Sequence, residues 1–180
     1  FTGLSAAYNL AKKGHKVTIF EKESIVGGLA DGFSDQKWDW TLEKSYHHIF
    51  TGDSSILKLA KEINQPILIL KPRTDVFIKG QTLKFDSPLS ILKFHYLSLL
   101  ERIRLGLVLA YLKFTSNYKQ FENIKALTWL RQAIGEKATR LILEPLIAGK
   151  FGLFKEAISL TWFWARIKKR TPNLAYPEGG

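Results

Sequence analysis

The 180-residue sequence predicts an α/β protein: a βαβ start, a small β insertion, and a mainly helical region from Pro88 onward. Three observations carry this. TGLSAAYNLAKK at 2–13 is rich in Ala and Leu and meets Gly14, the residue that most readily stops a helix. KVTIFE at 16–21 is a short β-branched and aromatic run, which reads as a strand. Beyond Pro88, long segments carry helical start and stop signals in place of alternation. Helix, glycine and strand, with one more strand expected ahead of Phe1, make the second half of a right-handed crossover.

The remaining elements are read in chain order. Residues 22–50 are Gly-rich and irregular, with extended pieces expected near 29–33, 37–40 and 46–50. Residues 54–63 read as a helix, and Pro66 opens the apolar run 67–70. The runs 76–78 and 82–85 flank Lys79-Gly80-Gln81 as a hairpin. Residues 90–114 read as two helices broken near 96–98. A helix over 123–134 is expected to be capped by Asn123 and stopped by Gly135, and another over 136–143 to be ended by Pro145. Ser159 is the expected cap of a last helix reaching Arg170. This divides the chain into a nucleotide-binding part over 1–70, a substrate subdomain over 71–170, and a return segment over 171–180.

Composition removes several kinds of chemistry. There is no cysteine, which excludes disulfides, thiolate catalysis and a thioether link to a cofactor. The net charge is +11, which suits nucleic acid, an anionic membrane surface or anionic ligands. The basic residues are spread along the chain apart from Lys168-Lys169-Arg170, and no nucleic-acid motif appears, so no nucleic acid is expected as a partner. The most apolar run, 105–112, is eight residues long beside Arg102, Arg104 and Lys113. A span needs about 20. This run does not cross a membrane; it reads as a buried subdomain helix or as an interfacial helix with a basic rim. The sequence opens on Phe1 and ends on a Pro-Glu-Gly-Gly turn, so a piece of a longer chain is expected. A cytoplasmic location, with peripheral membrane contact open, is the corresponding expectation; oligomeric state is not set.

The chemistry gathers at the front. A dinucleotide turn uses glycines for its tight bend, for close approach of backbone to pyrophosphate, and for helix packing. Gly3 can be the last of these, and the N–H groups of Phe1, Thr2 and Gly3 are the free donors of a helix N-terminus. Glu21, eighteen residues on and followed by Lys22, suits the two hydroxyls of an adenosine ribose and repels a 2′-phosphate. Gly27-Gly28-Leu29 then lets backbone pass an extended ligand, where a nicotinamide enzyme usually enters another helix. Together these predict a Rossmann-like site holding FAD in preference to NAD. Read as helix packing, a surface acid and a flexible turn, the same residues carry no function.

The stretch TGLSAAYNLAKKGHKVTIFEKESIVGGLADGF resembles the N-terminal signature of the flavin-containing amine oxidase superfamily. That group includes protoporphyrinogen oxidases, phytoene-desaturase-like enzymes and, more distantly, UDP-galactopyranose mutase. LEKSYHHIF, KFDSPL, EPLIAGKFG and SLTWFWARI further on resemble bacterial NAD(P)/FAD-dependent oxidoreductases similar to protoporphyrinogen oxidase. The resemblance implies FAD as cofactor, held by Phe1, Thr2, Gly3, Glu21, Lys22, Gly27, Gly28 and Leu29. Many members carry Arg where this chain has Leu29, so only backbone contact is implied there.

Candidates for the reaction itself are few. Tyr46-His47-His48 is the most suggestive polar cluster, and the resemblance implies a place near the flavin. Successive side chains of an extended segment diverge, so His47 and His48 do not chelate one ion, and no metal site is expected. A buried His beside a surface His is the competing structural reading. Lys150, in Gly149-Lys150-Phe151-Gly152, is set beside a ligand or on a closing turn. Glu43 and Asp39 read as solvated pairs, and Trp162-Phe163-Trp164 as core more than substrate wall. The resemblance implies an FAD-dependent oxidoreductase that moves a hydride from an apolar or flat organic molecule to flavin N5, the 180 residues alone being inactive. The alternatives are a mutase acting on a nucleotide sugar and a non-catalytic membrane-surface protein that reuses the fold.

Overall fold

The computed structural model describes residues 2–45 and 47–180. Two compact units divide the chain: Phe1–Ile69 with Leu174–Gly180, and Leu70–Asn173.

The first unit opens with helix α1, Thr2–Lys12. Gly14 ends it at φ +83°, with its N–H on the Ala11 carbonyl and the His15 N–H on the Leu10 carbonyl. This is a Schellman stop, which requires the left-handed residue that glycine supplies. Strands β1 (Gly32–Phe33) and β2 (Leu42–Glu43) form an antiparallel pair. Strand β3 (Ile49–Phe50) leads into helix α2 (Ser54–Glu62), and strand β4 (Ile67–Leu70) comes next. Strand β7 (Leu174–Pro177) lies between β3 and β4 and runs antiparallel to β3, with the buried Ala175 opposite Ile49. An ion pair from Lys12 to Glu62, at 2.9 Å, ties α1 to α2.

Two elements of this unit depart from the sequence expectation: the piece expected near 37–40 is a turn, with the Trp38 N–H on the Asp35 carbonyl, and the run 15–21 is the other. Residues 15–21 are not a strand, and Ile19 and Phe20 are 54% and 92% exposed. A strand exists only through its ladder of hydrogen bonds to a neighbour, and no described segment pairs with this run. The β-forming composition is there; the partner is not.

The second unit begins with the hairpin β5 (Asp75–Ile78) and β6 (Gln81–Lys84), turning at Lys79 and Gly80 with φ of +49° and +79°. Two successive positive φ values match the right-handed twist of hairpin strands. Helix α3 (Pro88–Leu92) has Ser87 as cap and Pro88 in its first turn. Helix α4 (Leu99–Phe114) starts on a reciprocal cap: Ser98 Oγ accepts from the Glu101 N–H, and the Glu101 carboxylate accepts from the Ser98 N–H at 2.7 Å. Ser98→Ala is expected to lower the unit's stability by about 1 kcal/mol, read as a shift of the urea midpoint.

Helices α5 (Ala126–Ile134), α6 (Glu136–Ala138), α7 (Glu144–Phe151) and α8 (Leu160–Lys169) complete the unit. Leu105, Leu112, Leu127, Leu130, Ile147 and Leu160 meet with no exposed surface. Asn123 does not cap α5. The Ala126 N–H goes to the Ile158 carbonyl and the Leu160 N–H to the Ile124 carbonyl, so backbone satisfies the start of α5 from across the fold. Ser159 does cap α8, accepting from the Thr161 N–H at 3.1 Å.

Pro145 does not end a helix either. Residues Thr139–Leu143 make a π turn, and Pro145 lies in the first turn of α7. In an unbroken α-helix its ring would strike a carbonyl four residues back; in a first turn it is tolerated. Gly149 and Lys150 consequently lie within α7, and only Gly152, at φ +52°, ends it. The aromatic run packs as core: Phe163 is buried, Trp162 meets Phe151 edge-on at 4.7 Å, and Trp164 Nε1 donates to the Thr115 carbonyl.

Candidate dinucleotide site

Phe1 and Tyr46 lie outside the described residues; the other candidates of the front are all in the first unit. Thr2 and Gly3 form the first turn of α1, eleven residues long, whose first N–H groups have no acceptor within the helix. Those donors and the aligned peptide dipoles favour an anion. A Cβ built on Gly3 meets nothing within 4 Å. Glycine here is therefore not required by packing among the described residues, which departs from the helix-packing role that the sequence assigns it.

Glu21 is exposed and closes a local turn, its Oε1 accepting from the Glu23 N–H at 3.0 Å. Lys22 and Leu29 are exposed as well, Leu29 by 75%. Gly27 and Gly28 have φ of +119° and +58°. Both values lie in the positive-φ region that glycine enters at little cost, and the absence of side chains leaves the backbone bare there. Gly27 is also crowded, since a Cβ there would lie 3.2 Å from the Asp31 nitrogen.

The segment beyond this loop is more ordered than the sequence indicates. The Asp31 carboxylate pairs with Lys44 and accepts from the Gly32 N–H, while the Lys44 N–H returns to the Asp31 carbonyl at 2.8 Å. Lys44 above all holds the Asp31 carboxyl below the usual carboxylate range. A Cβ on Gly32 would strike Thr41 Cγ2 and lie 3.1 Å from the Leu42 carbonyl oxygen. Asp31, Gly32 and Lys44 thus anchor the base of the Gly27-Gly28 loop. The signal available in sequence is an acid and a glycine shortly after two loop glycines.

Of the candidates for proton chemistry, His47 is exposed and His48 is half-buried, edge-on to Phe50 at 4.9 Å. Glu43 is not a surface ion pair; its Oε1 accepts from the His47 N–H at 3.0 Å, which draws its carboxyl below the usual range. Glu43 therefore fixes backbone at the histidine pair. Lys150 is exposed on α7 in the second unit. Among the described residues no three His, Asp or Glu side chains gather as a metal centre would need, and no helix is long and apolar enough to cross a membrane.

Comparison with known proteins gives partial matches to two desaturases and wider matches to one solved structure and one family. A 62-residue stretch is 36% identical to 15-cis-phytoene desaturase from Synechococcus elongatus, covering 34% of this chain and 13% of that enzyme. A 77-residue stretch is 29% identical to the zeta-carotene desaturase of Solanum lycopersicum, covering 42% and 13%. The matches thus span a small part of the curated relatives' length. The structure of an oxidoreductase from Methanosarcina mazei superposes with a TM-score of 0.68 at 19% identity, over 99% of this chain and 43% of that one. The chain has its α/β fold. The family described as flavin containing amine oxidoreductase matches residues 1–174, and the chain belongs to that family.

Proposed function

We propose that this chain is part of an FAD-dependent oxidoreductase in which its first unit holds the adenosine and pyrophosphate of FAD. One observation carries the reading: the open N-terminal turn of α1 at Thr2 and Gly3, where a Cβ built on Gly3 meets no described atom within 4 Å, in the same unit as the positive-φ pair Gly27-Gly28. The residues fit the cofactor by chemistry. Free N–H donors and bare glycine backbone suit pyrophosphate, and the exposed Glu21 carboxylate suits ribose hydroxyls. Bound flavin supplies a hydride acceptor at N5. The polypeptide contributes orientation, charge and exclusion of water. The substrate proposed is apolar or flat, in line with the carotenoid names of two relatives and with the apolar composition of the helical unit. No residue is assigned a proton transfer; His47, His48 and Lys150 are the positions to substitute first.

The full-length protein is expected to purify yellow, with the visible spectrum of oxidised flavin, and to bleach on anaerobic reduction. A colourless, folded full-length protein that takes up no added FAD would overturn the proposal. Turnover of UDP-galactopyranose by the reduced protein, without net oxidation, would replace the oxidase by the mutase. Glu21→Gln keeps the size of the side chain and removes its charge. It is expected to weaken FAD binding about tenfold, the scale of one charge-assisted hydrogen bond reduced to a neutral one, read by titrating the deflavinated protein.

A further inference from the structure

Helix α4 is apolar on two sides. Leu105 and Leu112 are fully buried, with Val108 and Leu109 packed on the same core. Its other side carries Leu100, Ile103, Leu107, Tyr111 and Phe114, which are 66%, 43%, 66%, 47% and 81% exposed. Their spacing of three and four residues makes one stripe, about 21 Å long at 1.5 Å per residue. A surface helix ordinarily shows water its polar side; one that is apolar all round belongs in an apolar environment. The neighbouring α3 adds Leu89 and Leu92 to the exposed apolar surface.

The charges nearby have one sign. Residues 88–119 contain Lys93, Arg102, Arg104, Lys113 and Lys119 against the single acid Glu101. The three cations of α4 lie on backbone carbonyls instead of carboxylates: Arg102 donates to Leu97 and Leu92, Arg104 to Gln132 and Ala133, Lys113 to Lys168 and Arg170. Carbonyls orient these groups without cancelling their charge. The result is an apolar stripe along a helix whose three cations have no carboxylate partner among the described residues.

We infer that the α3–α4 face of the helical unit docks on an anionic lipid bilayer, with α4 lying in the plane of the interface. Apolar insertion and attraction to anionic headgroups act together on such a helix. A second copy of the chain is the poorer occupant. A two-fold interface places the same patch on both partners, so the cations of α3 and α4 would meet their own copies across it. This inference stands apart from the proposed flavin chemistry and survives or fails without it.

Arg102 and Arg104 hold backbone, so their loss would disturb the fold; the exposed apolar residues make the cleaner test. The full-length protein is sedimented with vesicles of phosphatidylcholine alone and with vesicles half phosphatidylglycerol. It is expected to bind the anionic vesicles selectively, less so at high salt. The combined Leu100→Gln, Leu107→Gln and Phe114→Gln variant is expected to bind at least about tenfold less with an unchanged thermal midpoint, whereas Leu153→Gln with Phe154→Gln, exposed elsewhere, serves as control. Equal binding of the triple variant and the parent overturns the inference. So does a large loss of thermal stability in the triple variant, which would mean that other parts of a longer chain cover the stripe. A dimer that the triple variant converts to monomer, without selective vesicle binding, overturns it in favour of self-association.

Discussion

Gly3→Ala is expected to cut the affinity of the full-length protein for FAD about a hundredfold while leaving the folded protein as stable as before, or slightly more so. The two halves have separate causes. Within a helix, alanine is more favourable than glycine by up to about 1 kcal/mol, and the new methyl meets no atom within 4 Å. No described residue resists it. Pyrophosphate held on the N-terminal turn of α1 would sit against the Thr2 and Gly3 N–H groups, and a methyl at Gly3 would hold it away from them. Losing two charge-assisted hydrogen bonds of this kind costs about 2.7 kcal/mol, or a factor of about 100. Flavin content after dialysis and the thermal midpoint of deflavinated protein read the two effects independently. An unchanged affinity would remove Gly3 from the cofactor site. A drop in the midpoint with no change in affinity would return it to helix packing.

That such a substitution can be chosen at all reflects which features are local in sequence. The stop at Gly14, the cap at Ser159 and the turn at Lys79-Gly80 each bond within a few residues, and each is where composition predicts it. Elements that depend on distant partners are not legible in this way. KVTIFE has the residues of a strand, yet a strand is a relation between two segments. Asn123 has the composition of a cap, and nothing nearby reveals that Ile158 supplies the acceptor. Pro145 misleads for a related reason: proline marks both a helix end and a first turn, and the π turn ahead of it decides which. The front of the candidate site is visible because a dinucleotide turn is a local device. Its anchor, Asp31 with Lys44 across the β1–β2 pair, is not.

Arg131 is the other case where sequence is silent, the carboxylates that accept its hydrogen bonds lying 13 and 25 residues away. Its guanidinium donates two hydrogen bonds to Glu156, at 3.1 and 2.9 Å, and one to Glu144 at 3.1 Å, while Lys155 pairs with the second oxygen of Glu144. One planar fork thereby ties α5 to α7 and to the turn Gly152–Ala157. Arg131→Leu is expected to destabilise the helical unit by about 2 kcal/mol. This is less than the roughly 3 to 5 kcal/mol of a fully buried pair, because the Arg131 side chain is 27% exposed and Glu156 50%. Glu144, only 16% exposed, bears most of the loss. Lys155 first, and then Arg131, hold the Glu144 carboxyl below its ordinary value of 4.5. A depressed carboxylate contributes its full stability above that ordinary value and loses it as pH falls through the lower, folded one. Urea midpoints of the parent should therefore be steady near neutrality and decline below pH 4.5. Arg131→Leu should start lower and decline less over the same acid range, since part of the linkage is already gone. Adding Glu144→Gln to Arg131→Leu should cost further stability, because it also breaks the pair with Lys155, and the added loss measures that remaining pair. Parallel acid limbs in the parent and the single variant would mean that Glu144 is stabilised by Lys155 alone, with the guanidinium a bystander to it.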